Sequence, residues 1–195
     1  MIEPNIPFAP NVMLIDASYL DRVGKDMAAH FSPLINRTLP KADLAVLLEC
    51  MALDSGITAA ENEIQVIFIY DDKSTGKMQF CVPSSFEKEL HEVAFNSKLG
   101  EFSLYAFQPS DMATREDLFI ESLQLAGESK ETKRILLVPD EDLYGNKLDT
   151  YVKEMKGKDD VMVFGMNPPT GESSFRFEMI GFAILQALGI RADEL

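Results

Sequence analysis

The sequence predicts an α/β domain in three layers, an open and mostly parallel β-sheet with helices on both faces. Apolar runs recur at Asn11-Val12-Met13-Leu14-Ile15, Ile64-Gln65-Val66-Ile67-Phe68-Ile69-Tyr70, Ile135-Leu136-Leu137-Val138 and Val161-Met162-Val163-Phe164. They are near-continuous rather than alternating, as expected of strands buried on both sides of a parallel sheet. Segments of helical periodicity lie between them, and strand–helix alternation is how parallel sheets are built. The composition supports a core: 195 residues, 46% hydrophobic and 26% charged, are enough for one domain and give an ordinary globular balance.

Each element follows in chain order. Residues 1–10 contain three prolines and read as an extended lead-in to the first strand. A helix or turn is expected from about Tyr19 to Ala29, then a loop from His30 to Pro40 with two further prolines. Asp43 caps a helix in which Leu44, Leu47, Leu48, Met51 and Ala52 share a face and which Gly56 stops. The second buried strand ends at Asp71-Asp72. An edge hairpin is expected around Met78–Val82, and Ser84-Ser85-Phe86-Glu87 reads as a capping box opening a helix to about Phe95. Phe102–Phe107 is a strand. Thr114 opens a helix carrying Leu118, Phe119, Ser122, Leu125 and Ala126 up to Gly127. Asp140-Glu141-Asp142 leads from the next strand into a helix ending near Gly157. After the last strand, residues from about Ser173 to Leu188 are expected as an apolar helix. No repeat or linker divides the chain, so 1–195 reads as one domain, with 167–195 a C-terminal helical extension.

Composition also excludes some functions. No long apolar span or leader-like start is present, which predicts a soluble, cytoplasmic protein without a membrane partner. The two cysteines, Cys50 and Cys81, and the two histidines, His30 and His91, are scattered and suggest neither a disulfide nor a zinc cluster. The net charge is −14, from 18 bases against 32 acids. Such a balance keeps a protein soluble and is opposite to the basic footprint that neutralises nucleic-acid phosphates. No Gly-x-Gly-x-x-Gly, Gly-x-Ser-x-Gly or His-Glu-x-x-His motif is found.

What remains is a set of acids just past strand ends: Asp16, Asp71, Asp72, Asp140 and Asp142. Functional groups of open α/β sheets gather at these carboxyl ends. Converging carboxylates repel one another unless something neutralises them. Mg²⁺ or Mn²⁺ would do so with oxygen ligands and could activate a water for phosphodiester hydrolysis.

Three segments in order carry a family resemblance. Leu14-Ile15-Asp16-Ala17-Ser18-Tyr19-Leu20 resembles the opening strand and turn of PIN-like domains. Glu116-Asp117-Leu118, leading through Leu123, Leu125 and Ala126 to Gly127, resembles their internal acidic helix. Ile135-Leu136-Leu137-Val138-Pro139-Asp140-Glu141-Asp142-Leu143 is similar to their strand ending in Asp-x-Asp. The order and spacing fit the NYN branch over residues 11–166. Tyr19 departs from the pattern, standing where NYN domains commonly place an Asn, and so does Pro139, where Ser-Gly or Thr-x is usual. The resemblance implies a metal-dependent ribonuclease acting on single-stranded RNA, in which Asp16, Asp117 and Asp140 hold Mg²⁺ or Mn²⁺ and Asp142 completes the catalytic set. It also admits a catalytically inactive relative that serves as an interaction or regulatory domain.

Each acid has a structural alternative. Asp16 could cap the following helix, Asp117 could close a capping box with Thr114, and one of Asp140 and Asp142 is expected as an N-cap. Asp71 and Asp72 precede a turn and suit it for local reasons. Lys73, Lys77, Arg115 and Arg134 are isolated bases that could meet a phosphate. The apolar C-terminal segment, with Phe175, Phe177, Met179, Ile180, Phe182, Ile184, Leu185 and Leu188, closes the core or forms a homodimer interface.

Overall fold

The computed structural model describes residues 6–71, 73 and 75–195. The expectations for the first five residues and for Asp72 lie outside this range. The elements are β1 (Asn11–Asp16), α1 (Ala17–Leu34), β2 (Ala42–Asp43), α2 (Leu44–Asp54), β3 (Asn62–Ile69), β4 (Cys81–Val82), α3 (Phe86–Glu89), β5 (Val93–Ser97), β6 (Gly100–Phe107), α4 (Arg115–Glu128), β7 (Arg134–Val138), α5 (Leu148–Val152), β8 (Asp160–Gly165), β9 (Arg176–Met179) and α6 (Ile180–Ala187).

Seven strands form one sheet in the order β5-β6-β3-β1-β7-β8-β9, while β2 and β4 form a separate pair. Every pairing in the large sheet is parallel except that of β5 with β6. β1 is central, with Met13 beside Val66 on one side and Leu136 on the other. Because successive side chains point to opposite faces, each apolar run feeds two cores. Met13, Ile15, Val66, Phe68, Leu136 and Val138 pack with Leu20, Leu47, Met51 and Ile184 from α1, α2 and α6. Val12, Leu14, Ile67, Ile69, Ile135 and Leu137 pack with Leu118, Phe119, Leu123 and Leu148 from α4 and α5. The predicted three layers and mostly parallel sheet are therefore present.

Several local expectations are corrected. α1 continues through His30 to Leu34 with Pro33 inside it. A proline in the last turn removes only one intrahelical hydrogen bond, so it ends the helix without displacing it. The expected strand at Met78–Val82 shrinks to Cys81–Val82, which pairs in parallel with Ala42–Asp43, and of the expected hairpin there is, among the described residues, a single antiparallel bridge between Lys77 and Ser85. The helix expected to reach Phe95 stops at Glu89. Its Ser85 makes no side-chain cap, and Glu89 instead accepts the Ser84 and Ser85 N–H groups through Oε2. Beyond it, Val93–Ser97 forms the antiparallel edge strand, where Phe95 stacks on Phe102 at 4.8 Å between centroids. This cross-strand contact outweighs local helical propensity.

The stretch after Asp140 is a turn and a 3-10 turn before the five-residue α5. Neither Asp140 nor Asp142 caps a helix, because the N-cap positions fall on Tyr144 and Lys147. The C-terminal segment is not helical throughout. Phe177 and Met179 belong to β9, which extends the sheet beside β8. α6 buries Ile180, Ala183, Ile184 and Leu188 follows it into the core, while Phe182 is 67% exposed. Among the described residues no helix is long and apolar enough to cross a membrane.

Candidate functional site

Strand order reverses at β1: β3 and β6 lie to one side of it, and β7 to β9 to the other. In open α/β sheets the crevice at such a reversal, outside the carboxyl ends of the strands, is where ligands bind. β1 ends in Asp16, β3 leads into Tyr70-Asp71, and β7 leads into Pro139-Asp140. Asp16 and Asp140 are completely buried.

A guanidinium stands among these acids. Arg115, the first residue of α4, donates from Nε to Asp16 Oδ2 (3.2 Å), from Nη1 to Asp71 Oδ2 (2.7 Å) and from Nη2 to Asp140 Oδ2 (3.2 Å). The three donor nitrogens of one planar fork thus reach three carboxylates from three strand ends. Its side chain is only 15% exposed. Asp16 also accepts the Tyr144 hydroxyl on Oδ2 (2.6 Å) and the Tyr19 N–H on Oδ1 (3.0 Å), so it caps α1 while serving the buried network. Arg22, whose guanidinium lies over the Tyr19 ring, donates to Asp140 Oδ1 (3.4 Å) and Asp142 Oδ2 (2.7 Å).

The charges respond to this packing. Burial pushes the Asp16 carboxyl above its ordinary range, with Asp140 adding to the effect, while Arg115, Tyr144 and the Tyr19 N–H oppose it. Burial and then the charge of Asp16 push the Tyr144 phenol far up, so it remains a hydrogen-bond donor. Burial works against the charge of Arg115, but Asp16 and Asp71 outweigh it and raise its pKa.

Compared with known families, the chain matches over residues 5–195 a family of unknown function, DUF6621. The chain belongs to DUF6621. Neither a curated protein nor a solved structure matches it.

The acids predicted from the sequence are distributed unequally in this DUF6621 member. Asp16 and Asp140 meet through Arg115, and Asp71 joins them. Asp142 stands at the rim, 66% exposed, on Arg22. Asp117 is apart from the others. Its Oδ2 accepts the N–H and hydroxyl of Thr114, closing the capping box on exposed surface, and these bonds hold its carboxyl below the ordinary range. Its place in the sequence suited a ligand, but its neighbour Thr114 turned it to the helix end. Among the described residues, no three His, Cys, Asp or Glu side chains are grouped as a metal ion would require.

The DUF6621 site does not suit the Mg²⁺ or Mn²⁺ that the PIN-like resemblance implies. Such ions need unencumbered carboxylate oxygens. Here Asp16 Oδ2 already serves Arg115 and Tyr144, Asp16 Oδ1 serves a backbone N–H, and both oxygens of Asp140 face arginines. An ion would have to take the place of the Arg115 guanidinium.

Arg115, Arg22 and Tyr144 were not legible as one site. Arg115 stood out only as an isolated base. One signal was nonetheless present: an arginine in the first turn of a helix opposes the helix dipole, and it is well placed there only if carboxylates face it.

Proposed function

We propose that this chain is a divergent PIN-like domain that serves as a non-catalytic interaction or regulatory module, its former carboxylate centre closed by an internal arginine. The supporting observation is Arg115, bonded at once to Asp16, Asp71 and Asp140 in the crevice where the strand order reverses. The guanidinium offsets part of the charge of the carboxylates, ties three strand ends together and occupies the hydrogen-bonding oxygens that a metal ion would need. In this role the site supports a rigid scaffold, and recognition falls to the surface around it.

A second reading keeps the Mg²⁺- or Mn²⁺-dependent ribonuclease, because buried Asp16 and Asp140 do converge beside Asp71. It requires Arg115 to leave its three partners. The test is incubation of the full chain with single-stranded RNA and Mn²⁺, alongside Asp16→Asn. The non-catalytic reading expects no cleavage by either protein. Cleavage by the wild type that is lost in Asp16→Asn would overturn it and establish the nuclease reading.

A further inference from the structure

The face of the sheet covered by α4 and α5 is not covered to its edge. α5 has only five residues, and beyond it Val163, Phe175 and Phe177 floor a groove of about 440 Å³. The turn after β7 forms one wall, and the β8–β9 connection forms the other. Glu141 binds the walls together, accepting the Met166 N–H (3.1 Å), the Asn167 N–H (3.2 Å) and the Asn167 Nδ2 (2.9 Å). Gly165 makes room for it, since a Cβ there would stand 2.5 Å from Glu141 Oε2. Farther along, Asp149 Oδ1 accepts the Ser174 N–H at 2.6 Å. The groove is therefore preformed, which lowers the ordering cost of binding.

The apolar floor has an acidic rim, in which Asp142 is paired with Arg22 from outside the groove. Glu141, Asp142, Asp149 and Glu172 line the groove, with no Lys or Arg among its lining residues. Phosphates of a nucleic acid would face these carboxylates unfavourably, and a second copy of a chain of net charge −14 would bring mostly like charge. The complementary ligand has cationic heads on aliphatic stems. Arg and Lys side chains fit, laying their stems on apolar surface while their heads reach carboxylates or aromatic faces.

We propose that this groove docks an Arg- or Lys-bearing peptide segment of a partner protein. The inference rests on the interaction-module reading and gives its partner a chemistry.

The test titrates the full chain against a fluorescein-labelled peptide of about eight alternating Arg and Leu residues, with a Glu–Leu peptide as control. Fluorescence anisotropy is expected to show saturable binding of the Arg peptide alone, weakening as salt rises. The double variant Asn146→Lys/Glu172→Lys removes most of the acidic charge of the rim at exposed positions without touching the core, and it is expected to weaken binding about tenfold or more. Failure of the wild type to saturate, or equal binding by the double variant, overturns the groove assignment. Spermine that binds as tightly as the peptide overturns the peptide as the ligand. RNA cleavage is measured separately on the same preparation, so a failure of peptide binding is distinguished from a failure of the non-catalytic reading.

Discussion

Replacing Arg115 by Met removes the guanidinium that three carboxylates share while keeping much of the stem that fills the crevice. Asp16 and Asp140 are fully buried and cannot regain water in compensation. Removing one partner of a buried ion pair costs about 3–5 kcal/mol. The lower end applies here, because Asp16 keeps the Tyr144 hydroxyl and the Tyr19 N–H, and Asp140 keeps Arg22. A loss of about 3 kcal/mol corresponds to roughly 6–12 °C in Tm for a chain of this size. The pH dependence has a defined sign. The folded-state pKa of Asp16 is already raised by burial, with Arg115 foremost in opposing it. Without Arg115 it rises further, so the charged carboxylate penalises folding most at neutral pH. That penalty shrinks as pH falls through the raised folded pKa toward the unfolded value. Urea unfolding of wild type and Arg115→Met at pH 7 and pH 5 measures this. A loss below about 1 kcal/mol at pH 7 would refute the buried network as a source of stability. An equal loss at both pH values would refute its electrostatic origin.

Three further outcomes follow from single contacts. Tyr144→Phe removes a hydroxyl donated to buried Asp16 at 2.6 Å, and urea unfolding is expected to show a loss of about 1.5–3 kcal/mol. Gly24→Ala brings a Cβ to 2.3 Å from Cδ2 of buried Phe80. The expected cost is about 1–3 kcal/mol, with part recovered when Phe80→Leu is added, as thermal melts of the single and double variants would show. Asp117→Asn weakens the capping box. Since Asp117 is held below its ordinary range by Thr114, its contribution is present at neutral pH and lost as pH falls through the folded pKa. The variant should therefore be less stable than wild type at pH 7 and converge with it in acid, which paired denaturation curves would check.

The sequence by itself determined the layers and the positions of the strand-end acids. Val12 to Ile15 and Ile135 to Val138 are apolar at every position, and only a strand covered on both faces buries such a run. Asp43 and Thr114 announced their helices because capping is local: each accepts the N–H three residues on. Tertiary structure decided what local periodicity does not encode. Val93–Ser97 became a strand because Phe95 found Phe102 in β6, and Arg176–Met179 because β8 offered an open edge. The site was decided in the same way. Arg115 lies 99 residues from Asp16, 44 from Asp71 and 25 from Asp140. Only parallel pairing of β3, β1 and β7, with α4 laid across one face, brings those four side chains together. Each segment's sequence records which of its sides is buried, but its partner for a buried charge is set by the order in which the strands assemble.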